Sequence, residues 1–593
     1  MKNKNDKVKK EMEISMIFHK NLDNLRSKRW LNNGDFRSFN HSSRMMQMGF
    51  DPEDWNGRPI IAILNTWSEI NPCHHHFKDR VEDVKRGVLQ AGGLPLEIPC
   101  MSLFESINKP SAMLYRNLLA MEVEELLRSY PIDGAILMGG CDKTTPGLLL
   151  GAISMDIPSI FIPAGPMING NFNGQTLGSG SDAFKSWDDY RVGNIGECEL
   201  LGVCGGIARS AGTCMTMGTA STMTSIVDTM GLTIPGASSI PAVDTNHNRM
   251  CAKAGKRIVD MVWEDLKPSD ILTKESFENG IVSTMALGGS TNSIIHLIAL
   301  ARRANCDIGI EDFDRISKEV PVIANIRPSG KEYLMEDFYY AGGILGMLSR
   351  LRSFLNLNEK TVMGNTLDEA IGQSEVYNND VICHLENPVY GEGSLAVLQG
   401  NLAPDSCVIK ASACDPKFLR HSGKAIVFDD YASLKKFTDD ENADVTENDV
   451  LVLRNAGPKG GPGMPEWGML PLPKKMIRQG VRDMLRISDA RMSGTSYGSC
   501  ILHVAPESYV GGPLALIQTG DIITVDIPER SINVNVSTEE MEERRANWVQ
   551  PTRKFERGFG WLFLKHIQQA DEGCDFDFLQ TNFGAPVKEP EIF

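Results

Sequence analysis

Between residues 58 and 165, short apolar runs alternate with amphipathic stretches. The runs at 59–64 (PIIAIL), 94–100 (LPLEIPC), 133–138 (DGAILM) and 158–163 (PSIFIP) are continuously apolar, as expected of parallel strands buried on both faces. Between the first two, residues 79–90 carry Val81, Val84, Val88 and Leu89 at helical spacing, with Gly92 and Gly93 as a stop. Residues 110–130 form a second helical pattern, apolar at Met113, Leu114, Leu118 and Met121. This β-α-β-α-β order predicts an open parallel α/β sheet with right-handed crossovers. Residues 212–300, rich in Ala, Gly, Met, Ser and Thr, read as closely packed helices. Past about residue 390 the texture changes to short β-like runs at 425–428, 450–453, 501–504 and 522–536, the last interrupted at 528–531. The expected organisation is an N-terminal extension (1–35), an α/β domain (36–388) and a β-rich, barrel-like domain (389–593), with the active site between the last two.

Composition narrows the function. At 593 residues, 42% hydrophobic and 23% charged, the chain has the make-up of a folded multidomain protein. Its 60 basic against 76 acidic residues give a net charge of −16, the wrong sign for covering nucleic-acid phosphates. There is no apolar run long enough to span a membrane. The N-terminus is basic but has no apolar core behind it and carries Asp6, Glu11 and Glu13, so the cytoplasm is the expected location. The 13 cysteines are odd in number and scattered, which argues against a disulfide framework and leaves metal ligation or nucleophilic chemistry for any special one.

In a doubly wound sheet, ligands collect beyond the carboxyl ends of the strands. There the sequence places Cys73 and a His74–His76 run after the first strand, Glu105 after the second, and Cys141, Asp142 and Lys143 after the third. Thiolates suit iron or an iron–sulfur cluster; carboxylates suit magnesium or manganese. A single cysteine is more often packing than ligand, but these two each follow a strand, and an acid and a base follow Cys141. The histidine run reads as a polar loop flanking Cys73 rather than a zinc site, since adjacent residues cannot easily all face one ion and no HExxH pattern is present. GSGSDA at 178–183 follows a polar stretch, not a strand, and is no dinucleotide fingerprint. Downstream, GPKGGPGMPE (457–466) is a loop that lets backbone approach a ligand and presents Glu466, and SDARMSG (488–494) sets Ser493 before a glycine.

Five motifs, CDKTTPG (141–147), GTCMTMGTASTM (212–223), MALGGSTN (285–292), GPKGGPGM (457–464) and DARMSG (489–494), resemble in order the dihydroxy-acid and phosphogluconate dehydratase family, over about residues 30–580. NPCH (71–74) and SLFES (102–106) look like its sugar-acid branch, the L-arabinonate and D-xylonate dehydratases; the branched-chain amino-acid enzymes usually carry an Asp-containing stretch at the second place. The resemblance implies a [2Fe–2S] cluster on Cys73, Cys141 and Cys214. It also implies a magnesium (or manganese) ion on Asp142, a carbamylated Lys143 and Glu466, with Glu105 as a fourth ligand, and Ser493 as the catalytic base. The implied activity is dehydration of a sugar acid, such as a pentonate, to a 2-keto-3-deoxy acid by a homodimer or homotetramer. Dihydroxy-acid dehydration in branched-chain biosynthesis and an iron–sulfur redox or sensor role stand as alternatives. His384, His421 and Lys424 are candidates for the sugar tail.

Overall fold

The computed structural model describes residues 20–31, 33–552 and 555–580; most of the expected extension (1–19) lies outside them. Four parallel strands, β1 (Ile60–Asn65), β2 (Leu94–Pro99), β3 (Gly134–Gly139) and β4 (Ser159–Pro163), form a sheet in the order β2-β1-β3-β4. β1, β3 and β4 are buried along their whole length, which is why their sequences are continuously apolar. Helices α1 (Phe77–Gln90), α2 (Arg116–Ser129) and α3 (Thr144–Met155) make the crossovers. α1 buries Phe77, Val81, Val84 and Val88, while Leu89, expected on that face, is about half exposed. α2 buries Leu119, Val123 and Leu127; Leu118 and Met121 are only half buried, and residues 112–115 form a separate 3-10 turn, so the helical register begins later than the sequence pattern suggested.

The Ala- and Gly-rich region forms α4 (Thr219–Thr229), α5 (Thr245–Glu264), α6 (Lys274–Leu287) and α7 (Asn292–Arg303), with α4 and α6 packed together and α5 lying against α1 and β3. A small hairpin, β5 (Gly170–Phe172) and β6 (Gln175–Leu177), precedes them in the chain.

The later strands are β7 (Ala396–Leu398), β8 (Ser406–Ile409), β9 (Arg420–Phe428), β10 (Val450–Leu453), β11 (Arg486–Ser488), β12 (Cys500–Ala505), β13 (Ile522–Asp526) and β14 (Ser531–Val534). They form one sheet in the order β14-β13-β9-β10-β11-β12-β8-β7. Its two edges nearly meet: Gln399, just past β7, bridges Ser531 and exchanges main-chain hydrogen bonds with Arg530 and Ile532. The fold is thus mixed α/β, an open parallel sheet with helices followed by a barrel-like sheet. The strands β9 to β12 inside the barrel run parallel, each crossing over to the next. No helix among the described residues is long and apolar enough to cross a membrane.

Candidate active site

Strand order reverses between β1 and β3, and the loops leaving their carboxyl ends diverge into a crevice there. His74 joins the two loops. Fully buried, its Nε2 accepts the Cys141 N–H at 3.0 Å, and its Nδ1 lies 3.0 Å from the Thr66 hydroxyl and 3.2 Å from the Thr66 carbonyl. Burial pushes its pKa down to about 4, so the ring is neutral and can accept at Nε2. His76 is also buried, with Nε2 2.8 Å from the Ala164 carbonyl; only His75 is exposed. The expectation of a polar flanking loop is corrected: His74 and His76 are buried, and His74 ties the Cys73 loop to the Cys141 loop.

Cys73, Cys141 and Cys214 line one cavity of about 250 Å³, together with Glu105, Asp142, Glu466 and Ser493. Lys143, fully buried, stands among the acids, its Nζ 3.5 Å from Glu105, 3.6 Å from Asp142 and 4.0 Å from Glu466. The structure therefore brings together all eight residues that the sequence singled out, from both halves of the chain. His384, His421 and Lys424 do not line this cavity. A larger, open cavity of about 1000 Å³ on the barrel holds none of the eight.

Arg491, which the sequence did not single out, holds the acidic group. Also fully buried, it donates to Glu466 Oε1 at 3.0 Å, to the Ser111 hydroxyl at 3.0 Å and to the Met464 carbonyl at 2.9 Å, and lies 3.5 Å from Glu105. Ser111 in turn donates to Glu105 at 2.8 Å, and Asn292 donates to Glu466 at 3.2 Å. Burial pushes the Glu105 carboxyl up, but Lys143 and Arg491 outweigh it and hold it below the usual range. Glu466 is pushed up to about 7, by burial first and then by Glu105. Two carboxylates share the available cations, and the second is left short of positive charge.

The donor set tests the expected metals. Cys73 is raised well above the ordinary thiol range by its hydrogen bond to Cys141, by burial and by the other thiols; burial and then Asp142 push Cys214 up to about 12. Three thiolates here would repel one another unless a cationic centre joined them. Glu105 Oε2 and Lys143 Nζ are buried without hydrogen-bond partners, an unsatisfied carboxylate oxygen beside an unsatisfied ammonium. Among the described residues no three His, Cys, Asp or Glu side chains stand grouped as ligands of one ion; the carboxylates face the Lys143 ammonium. In chemistry, three thiols and three carboxylates side by side fit an iron–sulfur cluster and a divalent cation.

Ser493 is placed by close backbone contacts with the first half. A β-carbon on Gly494 would come within 2.6 Å of Ser290 and of the Thr219 nitrogen at the start of α4; one on Gly180, whose φ is +69°, would collide with Thr495. Only glycine lets the turn dock this closely. Ser493 Oγ lies 2.9 Å from the Thr495 hydroxyl and accepts the Thr495 N–H at 3.4 Å.

The chain matches the family model described as dihydroxy-acid/6-phosphogluconate dehydratase N-terminal over residues 58–370, and its C-terminal counterpart over 380–574. It is 52% identical to a 6-deoxy-6-sulfo-D-gluconate dehydratase of Pseudomonas putida, covering 97% of this chain and 99% of that one. It is 45% identical to an L-arabinonate dehydratase of Rhizobium leguminosarum bv. trifolii (95% and 97%) and 39% identical to a dihydroxy-acid dehydratase of Clostridium novyi (87% and 93%).

Proposed function

The chain belongs to the dihydroxy-acid/6-phosphogluconate dehydratase family and is a hydro-lyase, and from that premise we propose that it dehydrates a sugar acid to a 2-keto-3-deoxy acid. The observation that carries the reading is the convergence of three cysteines, the Glu105, Asp142, Lys143 and Glu466 group and Ser493 on one cavity. The sugar-acid branch is favoured by relatives at 52% and 45% identity, against 39% for the dihydroxy-acid enzyme.

Cys73, Cys141 and Cys214 would hold a [2Fe–2S] cluster, and Glu105, Asp142, carbamylated Lys143 and Glu466 a magnesium ion. When bound, these supply a Lewis acid for the departing hydroxyl and positive charge for the substrate's carboxylate and C2 oxygen. The chain's own part is positioning and proton handling. Ser493, as alkoxide, takes the C2 proton and holds it on Oγ; Thr495 donates to the alkoxide from its hydroxyl and N–H. Removal of the proton leaves the C2–H electron pair at C2, delocalised into the carboxylate; that pair forms the C2–C3 double bond when the C3–O bond then breaks, and the enol takes a solvent proton at C3 to give the keto acid. Arg491 and Asn292 keep Glu466 aimed at the cavity throughout.

A substrate panel on anaerobically reconstituted enzyme tests the reading. Six-carbon aldonates with neutral and anionic tails, pentonates and 2,3-dihydroxyisovalerate are compared by kcat/KM. At least one sugar acid should exceed dihydroxyisovalerate by about 100-fold, since a site that hydrogen-bonds the additional hydroxyls of a sugar acid would have those groups left unpaired by an alkyl chain. Preference for dihydroxyisovalerate would overturn the assignment.

A further inference from the structure

Lys410 follows directly on β8 and is fully buried. Among the described residues its Nζ has one hydrogen-bond partner, the main-chain carbonyl of Gly494 at 3.5 Å. Ionised residues of the packed 483–499 segment are committed elsewhere: Asp483 to Arg486, Asp489 to Ser508 and the Ala456 N–H, and Arg491 to Glu466. On its own segment, Asp415 accepts from the Lys417 N–H. Burial alone pushes the Lys410 ammonium down to about 7, with no charged neighbour contributing among the described residues. An interior ammonium without a counter-ion is among the costliest groups a fold can carry. Tying down a carbonyl does not require a charge, since any neutral donor can do it.

The carbonyl in question belongs to the residue after Ser493. On one side Gly494 abuts Ser290 and Thr219; Lys410 reaches its carbonyl from the barrel, where the Gly498 N–H also donates to Ala413 at 3.0 Å. We propose that Lys410 is a positioning residue for the dehydration: its ammonium, held on the Gly494 carbonyl, fixes the serine turn and supplies the buried positive charge that favours the Ser493 alkoxide over the hydroxyl. The inference rests on Ser493 being the base. Alkoxide and ammonium stabilise one another, so each is more readily charged when the other is.

The test is Lys410→Met, matched in length and uncharged, in the full-length reconstituted enzyme, with Ser493→Ala assayed beside it. Expected for Lys410→Met are a fall in kcat of about tenfold or more with KM within about threefold, and a rising limb of kcat/KM displaced to higher pH by about one unit. The direction follows because removing a nearby cation makes the serine harder to ionise. Activity should recover in part above that limb. Lys410→Gln, which keeps a donor for the carbonyl without the charge, should displace the limb in the same direction and serves if the Met variant does not fold. A loss equal at every pH, or a limb unmoved in the variant that folds, would overturn the proposal. Retained turnover in Ser493→Ala would instead overturn the assignment of the base.

Discussion

Ser493→Ala should lower kcat by about 10²- to 10⁴-fold while leaving KM and the content of iron and magnesium nearly unchanged. The side chain lies against the Thr495 hydroxyl in a turn held by Gly494 and Gly180 contacts, and alanine preserves every one of those backbone contacts. What it removes is the hydroxyl assigned to take the proton from C2. The variant should also fail to exchange the substrate's C2 hydrogen with deuterated solvent, which separates loss of the base from loss of the later elimination. Turnover within a few-fold of the parent enzyme, at full metal occupancy, would show that another group is the base.

The largest stability effect should come from a residue that does not line the cavity, at Asp575→Ala. Asp575 and Arg303 are both fully buried, joined by two hydrogen bonds of 2.8 and 2.9 Å. Removing the carboxylate leaves a buried guanidinium with, among the described residues, only the Ser154 hydroxyl as a neutral acceptor, at an expected cost of about 3–5 kcal/mol in the cooperative unit that contains α7. The segment around it is further tied down by Arg116, which donates to the Gly573 and Cys574 carbonyls. Function should suffer with it. Gln569 on the same segment donates to Glu507, whose carboxylate receives the Lys459 and Gly460 N–H groups of the glycine-rich loop ahead of Glu466. Chemical denaturation read by fluorescence checks the prediction, and a loss below about 1 kcal/mol would mean that the clasp is dispensable. Asp575→Asn, which keeps the shape and one acceptor, should cost less.

Much of the frame was legible because its elements are buried in simple ways. β1, β3 and β4 are enclosed on both faces and so appear as unbroken apolar runs, and Cys73 and Cys141 were found because they follow such runs. Ser493 and Glu466 lie on loops whose glycines make them visible, but their roles came from the family motifs, not from spacing. Five strands escaped notice: β5, β6, β7, β8 and β11 are only three or four residues long and are defined by their neighbours, not by a period of their own. Arg491 and Lys410 could not be recognised as interior residues, since the sequence marks a long basic side chain as exposed by default and only tertiary packing reverses that. His74 was misjudged for the same reason: its partners, Thr66 on one loop and Cys141 on another, are brought together only when β1 and β3 pair.

Running the reaction in deuterium oxide tests the central claim, proton removal at C2 with loss of the C3 hydroxyl, most directly. With the preferred sugar acid, early-time NMR of the product should show a 2-keto-3-deoxy acid carrying one deuterium at C3, because the proton delivered to the enol comes from solvent. Product that carries the original C2 hydrogen at C3 and no deuterium would mean that this hydrogen is passed from C2 to C3 within the site, and would contradict an enol that takes its C3 proton from solvent.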